Sequence, residues 1–200
     1  MGDVNVIFHR KKLQQTCPTE NGSVLLLLDW DNIFYSLFNS FKDETRLEER
    51  LKKLNDWIKT EIGPIFGGYG FVFAPGHLGF HDQRLCVENK LRLIICPKRT
   101  FETPKLNQKT GLMCSEEDTV DETLIWYGKI MMGHPDIKFI CLVSGDDDYV
   151  PLMKFARSCG IKRILVPPTI DSLSRSKNLI RSVDRHPITR KKMILRLDSI

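Results

Sequence analysis

The sequence lacks a long apolar run. Its strongly apolar stretch nearest the N-terminus covers only residues 24–28, whereas a membrane-spanning helix needs about 20 apolar residues. Residues 1–22 are polar and contain no apolar segment of the kind found in secretory signals. We therefore expect a protein without membrane segments or a membrane partner.

The sequence also lacks any CxxC pair, the spacing typical of zinc sites and thiol redox motifs. Its six cysteines are scattered, and they are Cys17, Cys86, Cys96, Cys114, Cys141 and Cys159. Cys96 and Cys141 lie within apolar runs, where a small buried thiol is the usual role. This pattern predicts reduced thiols and a cytoplasmic protein.

Net charge is low, because 30 Lys and Arg residues stand against 25 Asp and Glu residues, for a formal net charge of +5. The charge is unevenly placed, since residues 162–200 hold ten Lys and Arg against three Asp and Glu. A basic C-terminal end beside an acid-leaning body is compatible with a polyanionic partner. A solvated charged face is the alternative that the charge pattern leaves open.

Short apolar runs alternate with amphipathic stretches along the chain. The runs predicted to be strands cover residues 24–28, 69–74, 91–96, 138–143 and 163–166. The stretches predicted to be helices cover residues 47–62, 81–89, 116–132 and 149–159. This alternation predicts an α/β fold, a three-layer α/β/α sandwich around a mainly parallel sheet of about five strands.

Three parts are expected along the chain. Residues 1–22 are interpreted as an N-terminal extension, residues 23–186 as the folded domain and residues 187–200 as a basic C-terminal tail. Within the domain, residues 98–115 contain Pro, Gly and four Lys or Arg residues without a clear period. This segment is predicted to be a long loop, which in a compact domain is usually functional or mobile.

Acidic residues cluster at three places near the ends of predicted strands. They are Asp29 and Asp31 after the first strand, Asp146, Asp147 and Asp148 after the fourth, and Asp118 and Asp121 on one face of the helix before the fourth. Parallel α/β sheets bind ligands at the carboxyl ends of their strands. Because clustered carboxylates repel one another, a bound cation is the simplest way to stabilise them. Oxygen ligands without Cys or His favour Mg²⁺ or Mn²⁺ over zinc.

Helix capping is an alternative role for each of these acids. Asp29 or Asp31 would cap the helix after the first strand, and Asp118 would cap helix 116–132. Asp147 is expected to face solvent. Capping explains each acidic site singly, but it explains three such sites at one edge of a sheet less well.

Three segments, in this order, resemble the NYN domain of the PIN-like nucleases. They read LLLLDWDN at residues 25–32, VDETL at residues 120–124 and VSGDDDYVPL at residues 143–152. The resemblance spans residues 23–186. It implies a Rossmann-like, PIN-like fold whose acidic pocket binds Mg²⁺ or Mn²⁺ and hydrolyses RNA.

The resemblance also implies roles for residues at the matching positions. The implied metal-binding and catalytic residues are Asp29, Asp121, Asp146 and Asp148. Asn32 and Ser144 would bind or orient beside them, and we add Asp118 as a supporting residue. The acids before Val120, together with Asp31 and Asp147, are departures from the family pattern.

The combined expectation is a divalent-metal-dependent ribonuclease, of endonucleolytic type, in which a metal-activated water attacks the phosphate. Eight basic residues are candidates for phosphate binding, namely Lys98, Arg99, Lys105, Lys109, Arg185, Arg190, Lys191 and Lys192. The expected partner is single-stranded or structured RNA, and a homo-oligomer stays open.

Two other functions stay open as well. A phosphatase similar to the haloacid dehalogenases also begins with an apolar strand and Asp-x-Asp, which Asp29 and Asp31 match. Against it, the following residues lack the small Gly-Thr continuation. The second alternative is a non-catalytic RNA-binding or protein-interaction module of the same fold.

Overall fold

A parallel sheet built from the apolar runs forms the centre of the fold. The computed structural model describes residues 22–41, 44–76, 78–106, 111–185 and 192–200. With strands numbered in chain order, the sheet consists of β1 Ser23–Asp29, β2 Gly70–Pro75, β3 Leu91–Cys96, β6 Ile137–Val143 and β7 Lys162–Leu165. Their order is β3-β2-β1-β6-β7, and every neighbouring pair is parallel. Because β1 is central and covered on both faces, residues 24–28 are all fully buried.

Helices connect the strands and flank the sheet. They are α1 Trp30–Phe41, α2 Glu44–Glu61, α3 Phe80–Glu88, α4 Val120–Met131, α5 Val150–Ser158, α6 Ile170–Arg175 and α7 Lys177–Ser182. In α2, Leu47, Leu51, Leu54 and Ile58 recur on one face, and all four are buried. The predicted α/β/α sandwich with a Rossmann-like parallel sheet is confirmed. Over the described ranges, none of the helices is long and apolar enough to cross a membrane.

The segment predicted to be a long loop is instead a β-hairpin, so that prediction was wrong. β4 Lys98–Leu106 and β5 Met113–Asp118 form a separate antiparallel sheet. Residues 107–110 lie outside the described part of the chain. Most hairpin side chains are exposed, so no buried face imposed an alternating apolar pattern from which strands could be predicted.

The hairpin also changes the start of the next helix. The sequence predicted a helix from residue 116, but β5 continues to Asp118, which pairs with Lys98, and α4 begins at Val120. Asp118 and Asp121 therefore do not share one helical face. Asp118 lies at the end of a strand, one residue before Thr119, the residue that precedes α4.

The C-terminal residues pack onto the domain, in contrast to the predicted basic tail at 187–200. Within residues 192–200, the side chains of Met193, Ile194, Leu195 and Leu197 are buried. Ile194 forms a parallel bridge with Leu165 of β7, and the Leu195 amide donates to the Leu165 carbonyl at 3.0 Å. Residues 186–191 lie outside the described part, as do residues 1–21 of the predicted N-terminal extension.

Five cysteines of the described part are free thiols, namely Cys86, Cys96, Cys114, Cys141 and Cys159. Cys96 and Cys141 are buried in the core, as their apolar surroundings in the sequence predicted. Burial raises the pKa of the Cys96 thiol to about 11. These two cysteines therefore act as small core residues.

Because Leu197 is fully buried, we expect Leu197→Ala to lower the free energy of unfolding by about 2–5 kcal/mol. Leu106→Ala is the matched control, since this hairpin leucine is 61% exposed, and it should change stability by less than about 0.5 kcal/mol. Urea denaturation of both variants measures the difference. Equal, small effects would show that the C-terminal residues are a solvated tail.

Candidate metal centre

The candidate site lies where the two central strands end. Leu28 of β1 is in register with Val143 of β6, so the next residues, Asp29 and Ser144, emerge side by side. β1 leads directly into α1, and β6 leads into the loop of residues 144–148 that precedes α5. This edge is the one at which parallel α/β sheets bind ligands.

Three of the four predicted metal ligands come together here. Asp121, Asp146 and Asp148 offer carboxylate oxygens that all lie within 4.8 Å of one another. Asp121 and Asp146 are half-buried, and Asp148 is exposed. Three negative charges this close are costly in the absence of a cation. Their hard oxygen donors suit Mg²⁺ or Mn²⁺, so the residues present fit the predicted metal.

The fourth predicted ligand, Asp29, is not part of this group of three. Its side chain is only 4% exposed. Oδ1 accepts a hydrogen bond from the Asn32 amide at 3.2 Å, in the manner of a helix cap for α1. Oδ2 accepts from the Ser144 hydroxyl at 3.2 Å and lies 3.0 Å from the Tyr149 hydroxyl oxygen. Asp29 therefore serves as a buried acceptor beneath the site, and its predicted capping role is present as well.

Burial raises the pKa of Asp29 from its ordinary value of 3.8 to about 7. The negative charge of Asp121 adds to this rise, whereas the polar contacts with Asn32, Tyr149 and Ser144 oppose it. In the metal-free protein, the folded state therefore holds a proton on Asp29 up to nearly neutral pH.

Tyr149 is a residue of the site that the sequence did not predict to contact the acids. It is fully buried, and its hydroxyl donates to Asp121 Oδ1 at 2.7 Å while contacting Asp29 Oδ2 at 3.0 Å. The only signal in the sequence was its position directly after Asp148.

The loop that carries Asp146 and Asp148 is held by the predicted supporting residues. Asn32 Oδ1 accepts from the Gly145 amide at 2.8 Å, and the Ser144 hydroxyl accepts from the Asp146 amide at 3.2 Å. A side chain at position 145 would meet the Cβ of Ser172 at 2.5 Å, so only glycine fits there. The prediction that Asn32 and Ser144 lie beside the acidic residues agrees with these contacts.

Asp147 was predicted to face solvent, but its carboxylate contacts α7. Its carboxylate accepts hydrogen bonds from the amides of Asn178 and Leu179 at 3.3 and 2.9 Å, and from the Asn178 side chain at 3.0 Å. These amides belong to the first turn of α7. Asp147 thus ties the loop to α7 and is not one of the group of three.

A cleft of about 1040 Å³ opens beside the acids, between α1, the hairpin and the start of α4. Its acidic lining residues are Asp29, Asp31, Glu116, Glu117, Asp118, Asp121 and Asp146. Arg99 and Lys105 are its basic residues, and Tyr35 and Phe101 are its aromatic ones. The hairpin therefore forms a wall of the cleft, and Asp118 contributes to that wall.

Only some of the predicted phosphate-binding residues line this cleft. Arg99 lines it and forms ion pairs with Glu117 of β5 and Glu122 of α4. Lys105 also lines it, with its Nζ 4.2 Å from the centre of the Phe101 ring. Lys98 pairs with Glu116 at 3.2 Å and does not line the cleft.

The C-terminal candidates are placed elsewhere. Lys192 Nζ donates to the carbonyls of Arg181 and Val183, and neither Lys192 nor Arg185 lines the cleft. Three further candidates lie outside the described residues, namely Lys109, Arg190 and Lys191. Among the described candidates, Arg99 and Lys105 are therefore the two that lie beside the acids.

Comparison with family models, curated proteins and solved structures finds no match. Function must therefore be inferred from the fold and from the geometry of this site.

The raised pKa of Asp29 predicts a pH dependence of stability in the metal-free protein. The unfolded chain ionises Asp29 near pH 3.8 and the folded protein near pH 7, so this contribution to stability is present below about pH 4 and is lost as the pH rises to about 7. Between pH 5 and pH 8.5, the wild type should lose on the order of 3 kcal/mol relative to Asp29→Asn. Urea denaturation in EDTA measures this difference.

Asp56→Asn provides the matched control, because Asp56 is exposed on α2. Its stability difference from the wild type should be the same at both pH values. An Asp29→Asn difference that also stays constant with pH would contradict the described environment of Asp29.

Proposed function

We propose that the protein is a divalent-metal-dependent ribonuclease. The observation that carries this proposal is the group of three carboxylates, Asp121, Asp146 and Asp148, with oxygens within 4.8 Å of one another beside an open cleft. The three segments that resemble the NYN domain support RNA as the substrate and Mg²⁺ or Mn²⁺ as the metal. An endonucleolytic reaction, a cytoplasmic location and a homo-oligomer stay predictions.

The residues of the site have different roles in this proposal. Asp121, Asp146 and Asp148 would hold the cation, which when bound supplies an acidic water and positive charge for the phosphate oxygens. Asn32 and Ser144 hold the loop of residues 144–148 through the Gly145 and Asp146 amides. Asp29 accepts hydrogen bonds beneath them, so it supports the site from within the core.

The cleft offers contacts suited to a single-stranded nucleic acid. Tyr35 is 58% exposed at its wall, and Phe101 lies on the hairpin side, so both rings are placed for stacking on unpaired bases. Arg99 and Lys105 are placed to contact phosphates near the carboxylates.

The buried position of Asp29 disfavours the phosphatase alternative. In that reaction Asp29 would attack a phosphoryl group, yet it is 4% exposed and both of its oxygens accept hydrogen bonds. A carboxylate engaged in this way is poorly placed to act as a nucleophile.

Asp146→Asn tests the ribonuclease proposal. End-labelled single-stranded and hairpin RNA are incubated with Mg²⁺, with Mn²⁺ and with EDTA. Because the substitution removes one of three charged ligands, we expect metal-dependent cleavage to fall by about 100-fold or more. Asp147→Asn is the matched control from the same loop. It should keep most of its activity, because Asp147 is not one of the three ligands and the Asn side-chain oxygen can still accept from the α7 amides.

Undiminished cleavage by Asp146→Asn would contradict the assignment. RNA binding without metal dependence or turnover would instead favour the binding module. A phosphoenzyme at Asp29, trapped with a phosphate mimic, would favour the phosphatase.

Replacement of both Arg99 and Lys105 by Gln tests the cleft as the RNA-binding surface. Measured with a single-stranded RNA in the Asp146→Asn background, the slope of log affinity against log salt should become shallower by about 1.4, because two phosphate contacts are lost. Lys52→Gln, an exposed position on α2, is the control and should leave the slope unchanged. An unchanged slope in the double variant would exclude this surface.

A further inference from the structure

We propose that Tyr149 is a positioning residue of the metal centre, whose hydroxyl holds the Asp121 carboxylate in place to bind the cation. This inference rests on the proposed function, since it assigns a role within the same site. Tyr149 ends a short helical turn, Asp147–Tyr149, directly after the ligand-bearing Asp148. Its side chain is 0% exposed, so the core fixes the ring and with it the direction of the hydroxyl.

The hydroxyl lies between two carboxylates but has one hydrogen to donate. Its contact with Asp121 Oδ1, at 2.7 Å, is shorter than its contact with Asp29 Oδ2, at 3.0 Å. Hydrogen bonds to ionised acceptors are both shorter and stronger than neutral ones. The hydroxyl therefore anchors one oxygen of Asp121 and restricts the rotation of its carboxylate.

Tyr149 also works together with a second hydroxyl. Ser144 donates to the same Asp29 Oδ2 at 3.2 Å and accepts from the Asp146 amide at 3.2 Å. The buried Asp29 is thus connected through Tyr149 to the side chain of Asp121 and through Ser144 to the backbone of Asp146. Two of the three candidate ligands are positioned from beneath by one buried acid and two hydroxyls.

Tyr149→Phe keeps the buried ring and removes only the hydroxyl. Substitution of groups that orient metal ligands typically lowers metal affinity by about 10- to 100-fold. We therefore expect the Kd of Tyr149→Phe for Mn²⁺ to rise by about 10-fold or more. Titration calorimetry of the full chain with Mn²⁺ alone measures this constant without relying on RNA cleavage.

Tyr127→Phe is the matched control, because it removes a tyrosine hydroxyl from α4, the helix that carries Asp121. The Tyr127 ring packs against Phe71 and Phe73, with ring centres 5.2 and 5.5 Å away. Its Kd for Mn²⁺ should match the wild type. Thermal unfolding in EDTA reports the fold of each variant, and a purely structural role of Tyr149 would lower this midpoint while leaving the Kd unchanged.

A donor returned to position 149 should restore binding. p-Aminophenylalanine in place of Tyr149 keeps a polar hydrogen at the same point of the ring, so its Kd should lie within about threefold of the wild type. This variant keeps the inference testable even if Tyr149→Phe does not fold. Weak binding by the amino variant, in a chain that unfolds like the wild type, would contradict the positioning role.

The outcomes separate this inference from the proposed function. If the wild type binds Mn²⁺, Asp146→Asn does not, and Tyr149→Phe binds like the wild type, only the role of Tyr149 is overturned. If the wild type shows no saturable Mn²⁺ binding, the proposed metal centre and the role of Tyr149 both fail.

Discussion

The burial of one carboxylate at the end of the central strand organises the candidate site. Burying an acid is costly unless its oxygens receive hydrogen bonds, and Asp29 receives them from the Asn32 amide and the Ser144 hydroxyl, with the Tyr149 hydroxyl 3.0 Å from Oδ2. These three groups belong to α1, to the end of β6 and to the turn before α5. The contacts of Asp29 therefore fix the loop of residues 144–148 and Tyr149, and Tyr149 in turn donates to Asp121 on α4. The same contacts explain why Asp29 is buried, whereas Asp121 and Asp146 are half-buried and Asp148 is exposed.

The hairpin gives the site its second defining feature. β4 and β5 stand apart from the main sheet, and ion pairs of Glu116 with Lys98 and of Glu117 with Arg99 link the two strands. Exposed ion pairs of this kind contribute little stability. Their effect here is to offset negative charge on the hairpin. The acids of the wall are partly neutralised by these bases, and a bound cation would neutralise more. This balance is what would let an anionic substrate approach a cleft that carries more acids than bases.

The sequence predicted the central architecture well because buried strands and amphipathic helices leave strong patterns, as Val24 to Leu28 of β1 illustrate. The hairpin was missed because most of its side chains are exposed, so its strands carry no periodic apolar pattern. Residues 187–200 were interpreted as a basic tail because of charges such as Arg190 and Lys192. The apolar residues 193–195 that follow are buried against the domain instead. The acids could be predicted as a group from their positions after strands. The bridge from Tyr149 to Asp121 could not, because it joins side chains 28 residues apart through one hydroxyl.

The proposed metal centre is tested most directly by locating a bound cation. Crystals grown with Mn²⁺ would be measured on both sides of the manganese absorption edge, and an anomalous difference map would be calculated. We expect a peak in contact with carboxylate oxygens of Asp121, Asp146 and Asp148, with Tyr149 still hydrogen-bonded to Asp121. A map without a peak among these three residues, at Mn²⁺ concentrations that saturate any site detected by calorimetry, would contradict it.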